Sequence, residues 1–232
     1  MFDPILMLIG LLFMVIGMAV SYRLKNKFKQ YSAETLVSRL TGKQVAERML
    51  RDNGIYDVKV MSQSGFLSDH YNPLTKTINL SEDVYNGAHV ASAAVAAHEC
   101  GHAVQHANAY PWLSFRSAMV PIVQMSSYFM NMLVFAFMFG AYFAPQMGNT
   151  FLLIYIVCQA VVTFFAIVTL PVEVDASKRA LAWLDSSNIA RGSEYDNAKD
   201  ALKWAAYTYF VSALAAVATL IYLVTIFLGR KE

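Results

Sequence analysis

The chain has 232 residues, enough for one domain or a small helical bundle. Hydrophobic residues make up 57% of it and charged residues only 15%, whereas soluble domains carry about 45–50% apolar and about 25% charged residues. This composition indicates a membrane protein. The net charge of +2 is too small to favour nucleic acid as a partner. Cys100 and Cys158 lie in different settings, so we expect no disulfide.

Four apolar stretches are candidate membrane spans. Pro4–Tyr22 has no charged residue, lacks a preceding basic segment and is too long for the apolar core of a signal peptide. We therefore interpret it as a retained transmembrane helix. The other predicted spans are Met119–Phe143, Phe151–Leu170, which we expect to end at Pro171, and Ala205–Leu228. A short uncharged turn is predicted over Ala144–Asn149.

The basic residues predict how the chain crosses the membrane. Eleven Lys or Arg residues lie between the first two spans, five between the last two, and none between the second and third. The positive-inside rule then puts residues 23–118 and 172–204 in the cytoplasm and both termini outside. The basic segment Arg23–Gln30 is interpreted as a flank that sets this topology, in preference to a site for anionic lipid.

Residues 31–112 have the composition of a soluble domain. Thr41 and Gln44 form a capping-box pattern before an amphipathic segment. Alternation of apolar and polar residues indicates strands, and Asn72-Pro73 indicates the turn of a hairpin. The predicted elements are a helix over Val45–Asn53, strands over Ile55–Val60, Phe66–Tyr71 and Thr75–Leu80, and a helix over His89–Ala109 that Pro111 closes.

The last of these helices contains the sequence His98-Glu99-Cys100-Gly101-His102, an H-E-x-x-H motif. One helical turn separates the two histidines, so both imidazoles can reach one metal ion. Glu99 points elsewhere on the surface, where it can act as general base on a metal-bound water. Cys100 is interpreted as a small packing residue.

A catalytic zinc ion needs three protein ligands, and the motif provides two. His106 and His89 lie on the same helix but too far along its axis. His70 lies on a predicted strand and is more plausible as a residue of the substrate cleft than as a metal ligand. His70 and its neighbour Tyr71 are candidate oxyanion donors. Glu173 follows a membrane span and lies on the predicted cytoplasmic side, so we favour it as the third ligand. Its alternative role is an acid at a helix N-terminus.

Four short segments together resemble one known family. They are His98–Gln105, Asp69-His70-Tyr71, Ser81–Tyr85 and Leu170–Ala176. In this combination they closely resemble the YugP-like neutral zinc metallopeptidases of bacterial membranes, over nearly the whole chain. They are more distantly similar to gluzincin-type membrane proteases of the HtpX kind.

The resemblance implies a mainly α membrane protein with four transmembrane helices and a cytoplasmic α+β, zincin-like catalytic region. It implies one zinc ion with His98, His102 and Glu173 as ligands, Glu99 as base, and a multi-pass location in the bacterial plasma membrane. Substrates would be peptides or membrane proteins. The expected organisation is a transmembrane helix over 1–22, the catalytic region over 23–118, a transmembrane hairpin over 119–171, a cytoplasmic segment over 172–204 and a last span over 205–232.

The chain departs from the distant relatives one turn after Glu173. Their second motif has an acid there, but this chain has Ser177. Asp175 is two residues from Glu173, so we expect it to face away from the site on a helix. The group that orients the ligand imidazoles is therefore expected to differ, and the Ser177 hydroxyl or another acid could fill that role.

Two other functions are weighed against a surface peptidase. A non-enzymatic membrane scaffold or partner-binding protein with structural zinc would close all four metal positions, usually with cysteines, and the two cysteines here are poorly placed for that. An intramembrane protease would carry its motif inside a span. The helix of His98 follows a long polar segment and contains no apolar run of about 18 residues. Cleavage at the cytoplasmic membrane surface is therefore preferred.

Overall fold

The computed structural model describes residues 3–143 and 147–229, and for 137–143 it describes the backbone alone. Within these ranges the chain is mainly helical, with a small sheet. Four helices are long and apolar enough to cross a membrane. The elements in chain order are α1 (Pro4–Ser32), α2 (Gly42–Asp52), β1 (Lys59–Gln63), β2 (His70–Asn72), β3 (Thr77–Ser81), α3 (Glu82–Asn86), α4 (Val90–Ala107), α5 (Pro111–Phe143), α6 (Gly148–Ser186) and α7 (Ser193–Gly229).

The long helices continue beyond the apolar stretches that predict them. α1 runs through the basic segment to Ser32. Pro111 begins α5 instead of only closing the preceding helix, because a proline is tolerated in the first helical turn, where its missing N–H has no intrahelical partner. Pro171 lies inside α6, so the expectation that a helix ends there is wrong. The predicted turn Ala144–Asn149 lies partly outside the described residues.

The chain divides into two compact units. The first comprises Met1–Met18, Phe115–Leu170 and Tyr209–Glu232. It holds the most apolar parts of the four long helices. The second comprises Ala19–Ser114 and Pro171–Thr208, and it contains the sheet and helices α2, α3 and α4.

Helix α4 packs in the core of the second unit. Ala93, Ala94 and Ala97 on α4 are all but completely buried, and such small side chains let neighbouring elements approach closely. α2 packs against α4 and begins with the predicted capping box, in which the Gln44 N–H donates to the Thr41 hydroxyl and Gln44 Oε1 accepts from the Thr41 N–H. The core is completed by side chains of β3, α6 and α7, including Ile78, Leu80, Leu184 and Ala198.

The sheet has three strands in the order β1-β3-β2. β1 runs parallel to β3, and β2 runs antiparallel to it, with Tyr71 opposite Ile78. The hairpin of β2 and β3 agrees with the predicted turn at Asn72-Pro73, although both strands are shorter than expected. The first strand is displaced from the predicted Ile55–Val60 to Lys59–Gln63, because Ile55 packs into the core directly after α2.

Candidate metal centre

Helix α4 carries the H-E-x-x-H residues at the centre of the second unit. Its N-terminus is capped by His89, whose ring accepts a hydrogen bond from the Ser92 N–H at 3.0 Å, while the Ser92 hydroxyl lies 3.2 Å from the His89 N–H. His89 therefore has a structural partner of its own at the opposite end of the helix from His106.

Three donor groups converge beside α4. The ligand atoms of His98, His102 and Glu173 all lie within 4.8 Å of one another. Glu173 Oε2 is 3.3 Å from His98 Nε2 and 3.6 Å from His102 Nε2. The two imidazole rings are nearly perpendicular, with centroids 4.8 Å apart. Within the described residues this is the group of histidine and acidic side chains that could hold a metal ion.

A close approach of α4 to α6 brings Glu173 to the two histidines. A Cβ atom added at Gly101 would lie only 2.5 Å from the backbone oxygen of Ala176. Any larger residue at position 101 would force the two helices apart. The variable position between the two histidines of the motif is therefore constrained by the packing of α6, which carries Glu173.

Each imidazole has a hydrogen-bond partner on its second ring nitrogen. His98 Nδ1 lies 3.1 Å from the Ser177 hydroxyl, as the sequence suggested. His102 Nδ1 lies 3.0 Å from Gln105 Oε1. Because an amide oxygen only accepts, His102 donates from Nδ1, and its Nε2 presents a lone pair towards the cluster. Sequence reasoning missed Gln105, although its position three residues after His102 on a helix was an available signal.

Gln105 is completely buried and links α4 to α6. Its Nε2 donates to the Val172 carbonyl oxygen and to Asp175 Oδ2, both at 2.8 Å. These two acceptors determine the orientation of the amide. Asp175 in turn accepts from Arg179 Nε at 2.6 Å. Asp175 thus contacts Gln105 and Arg179, and Gln105 links it to His102.

Glu99 is held by the edge of the sheet. The backbone N–H of Tyr71 in β2 donates to Glu99 Oε2 at 2.9 Å. Glu99 is 7% exposed, and this hydrogen bond partly offsets the cost of burying a carboxylate. Asp69, next to the start of β2, accepts from the N–H and hydroxyl of Ser81, which ties this end of β2 to β3. A backbone donor of this kind leaves no trace in the sequence.

The remaining candidate histidines lie outside the cluster. His70 is exposed, with Nδ1 2.9 Å from the Ser68 carbonyl oxygen and Nε2 3.2 Å from the Asn79 amide nitrogen. His106 is exposed on α4 and lies 2.7 Å from the Tyr71 hydroxyl. Cys100 is buried against the Ala46 carbonyl oxygen and is a packing residue, as the sequence indicated.

The cluster has the electrostatics of a cation site. Burial opposes ionisation of Glu173, but its contacts with His102 and His98 outweigh this and hold the pKa of the carboxyl well below its usual range. Burial also opposes a charge on His102, while Glu173 and Glu99 favour it and raise the pKa of that imidazole. An anionic carboxylate and two imidazoles therefore share a site that favours positive charge.

The donor set fits zinc. Two ligands of a tetrahedral zinc ion, each about 2.0–2.1 Å from the metal, are about 3.3–3.4 Å apart. The separations of 3.3 Å and 3.6 Å between the carboxylate oxygen and the two Nε2 atoms match this geometry. Two histidines and one glutamate also form a donor set found in catalytic zinc enzymes, which keep a fourth position for water.

Comparison with known proteins agrees with this chemistry. Residues 6–228 match the family described as "Putative neutral zinc metallopeptidase". The chain is 36% identical over 213 residues to the "Putative membrane protease YugP" of Bacillus subtilis (strain 168), covering 91% of this chain and 92% of that protein. No solved structure matches the chain.

Proposed function

The chain belongs to the neutral zinc metallopeptidase family, and from this premise we propose that it hydrolyses peptide bonds with one zinc ion bound by His98, His102 and Glu173. The observation that carries the proposal is the convergence of these three donors, with the carboxylate oxygen at zinc-like separations from both imidazoles. When bound, zinc acts as a Lewis acid on the substrate carbonyl and lowers the pKa of a bound water. The residues of the chain transfer the protons and orient the ligands.

Glu99 is proposed as the general base. It takes the proton of the attacking water and later delivers it to the leaving amine. The Tyr71 N–H fixes Oε2 of this carboxylate, so proton transfer is assigned to Oε1. Because one oxygen of the carboxylate is held, the Glu99 side chain needs less rearrangement for each proton transfer.

Ser177 and Gln105 are proposed to orient the two ligand imidazoles. Each contacts Nδ1 of one histidine, which directs Nε2 of that ring towards the metal. In this role they replace the acid that the more distant relatives carry one turn after the ligand glutamate.

His70 remains a candidate oxyanion donor. The Ser68 carbonyl oxygen only accepts, so Nδ1 carries the ring hydrogen and Nε2 accepts from the Asn79 amide. Donation to substrate therefore requires the Nδ1–H group to leave the Ser68 carbonyl oxygen. Tyr71, whose hydroxyl lies beside His106, is the alternative donor. The β2 strand lies at an edge of the sheet, where an extended peptide could also pair with its backbone.

We place the reaction at the cytoplasmic surface of the plasma membrane. Support comes from the positive-inside rule and from Glu173, which follows the predicted end of a span, Leu170, by three residues along α6. Peptides near the membrane surface and segments of membrane proteins are the expected substrates. Comparing hydrolysis of a soluble peptide with that of a membrane-embedded substrate in vesicles tests this placement.

The decisive experiment on the mechanism is Glu99→Gln. We expect zinc stoichiometry to be retained and peptide hydrolysis to fall by about 10²–10⁴-fold, because the neutral amide cannot accept the proton. Glu47→Gln, an exposed acid on α2, is the matched control and should leave the rate unchanged. Full hydrolysis by zinc-loaded Glu99→Gln would overturn the mechanism. Zinc binding without hydrolysis by the unaltered protein would instead favour a zinc-containing scaffold.

A further inference from the structure

The turn between β1 and β2, residues Ser64–Ser68, presents two large apolar side chains. Phe66 is 54% exposed and Leu67 is 36% exposed. Leu67 has a φ of 55°, in the left-handed region that leucine rarely adopts because its Cβ crowds the backbone. The Ser68 hydroxyl stabilises the turn by donating to the Gly65 carbonyl oxygen at 2.9 Å. The chain thus keeps an unfavourable conformation in which both apolar side chains reach the surface.

This turn contacts α1 close to the point where that helix leaves its apolar stretch. The Phe66 ring packs edge-on against Phe28 with centroids 5.5 Å apart. Phe28 lies six residues after Tyr22, the last residue before the charged segment. At 1.5 Å per residue this is about 9 Å along the helix axis, and a tilted helix shortens the depth. Each headgroup layer of a bilayer is roughly 5–8 Å thick, so Phe28 lies close to the outer edge of this layer and a tilt of α1 brings it within the layer.

The same part of α1 is basic. Arg23, Lys25 and Lys29 are exposed, and among the described residues none of them has an ion-pair partner. Lys27 differs, because it pairs with Asp200 at 3.0 Å. Exposed cations beside exposed apolar side chains form the combination that binds at a membrane interface, where the headgroups attract the charge and the acyl boundary takes up the apolar groups.

We propose that the Ser64–Ser68 turn inserts Phe66 and Leu67 into the interface of the bilayer that holds α1, beside anionic headgroups bound by Arg23, Lys25 and Lys29. The turn is a second attachment to the membrane, separate from the four apolar helices. The turn leads directly into β2, whose Tyr71 N–H contacts Glu99. The depth of the turn in the membrane interface therefore also determines how far β2 lies from the bilayer. The attachment does not depend on the role of Glu99 in catalysis.

Site-directed spin labelling of the full chain in vesicles tests the proposal. A nitroxide is attached to a Leu67→Cys variant, and a Leu74→Cys variant provides the matched control. Leu74 is 94% exposed and lies in the turn at the other end of β2. Both native cysteines are buried, and labelling of the unaltered protein gives the background. Power saturation then compares accessibility to oxygen, which concentrates in the bilayer, with accessibility to a water-soluble nickel chelate.

In vesicles of phosphatidylcholine and phosphatidylglycerol, we expect the oxygen-to-nickel accessibility ratio at position 67 to exceed that at position 74 severalfold. Equal, high nickel accessibility at both positions would show that the turn lies in water and would overturn the proposal. Low accessibility of position 67 to both reagents would show that protein covers it, such as a second copy of the chain, and would also overturn the proposal.

The role of the basic residues is tested by changing the lipid rather than the residues, because the basic flank also determines topology. In vesicles of phosphatidylcholine alone, the oxygen-to-nickel ratio at position 67 should fall, while the ratio at position 74 should not change. An unchanged ratio at position 67 would overturn the contribution of anionic headgroups. A labelled Phe66→Cys variant repeats both measurements if Leu67→Cys does not fold.

Discussion

Helices α4 and α6 both contribute to the proposed metal centre, but they do so in different ways. α4 is an 18-residue helix whose two histidines are neighbours through helical spacing alone. α6 has 39 residues, and its Glu173 joins the site only because Gly101 allows the backbones of the two helices to approach closely. A local motif therefore specifies two of the proposed ligands, whereas packing specifies the third.

Removing Glu173, the proposed ligand that packing provides, should have the largest effect. We expect Glu173→Ala to lose stoichiometric zinc, because two imidazoles alone leave the ion incompletely coordinated. Metal analysis of the purified protein measures this. His106→Ala, which removes a histidine outside the cluster from α4, is the control and should retain zinc. Unchanged zinc content and affinity in Glu173→Ala would exclude Glu173 as a ligand.

Separating the two helices should have the next largest effect. Gly101→Ala places a methyl group 2.5 Å from the Ala176 carbonyl oxygen, so α6 must shift and take Glu173 with it. We expect stability to fall by about 1–3 kcal/mol and zinc affinity to fall as well. Gly10→Ala is the matched control, because no atom lies within 4 Å of the added methyl group there. Thermal unfolding measures the stability and chelator competition measures the zinc affinity. Equal stability and equal zinc affinity in the two variants would contradict the prediction.

Loss of the buried link between the helices should have a smaller effect. Gln105→Ala removes the acceptor for His102 Nδ1 and the donor to Val172 and Asp175. We expect zinc affinity to fall by about 10–100-fold, with a changed visible spectrum of the cobalt-substituted protein because the His102 ring is no longer held. An unaltered spectrum and affinity would show that His102 is oriented by packing alone.

Ser177→Ala should have the smallest effect of the four. Ser177 is only partly buried, whereas Gln105 is completely buried, so water can replace the Ser177 hydroxyl at His98 Nδ1. We expect a loss of zinc affinity of about tenfold or less, measured by the same chelator competition. A larger loss than in Gln105→Ala would reverse the order proposed for the two imidazole partners.

Two kinds of prediction that depended on local signals agree with the structure. Hydropathy predicted the four long apolar helices, and a capping box predicted the start of α2. Predictions that used proline as a boundary were less reliable. Pro171 removes one backbone donor, and a long helix that is stabilised along its whole length can tolerate that loss. The displaced first strand reflects packing, because Ile55 is drawn into the core.

The sequence by itself determined the membrane character of the chain, the helix that carries His98, Glu99 and His102, and the identity of Glu173 as a candidate partner. The first two features depend on composition and on spacing within a few residues, and the third depends on the predicted topology. Only the tertiary structure decided that Gln105 donates to Asp175 and that the Tyr71 N–H holds Glu99. Such contacts join residues far apart in the chain, and one of them uses a backbone group that every residue except proline possesses.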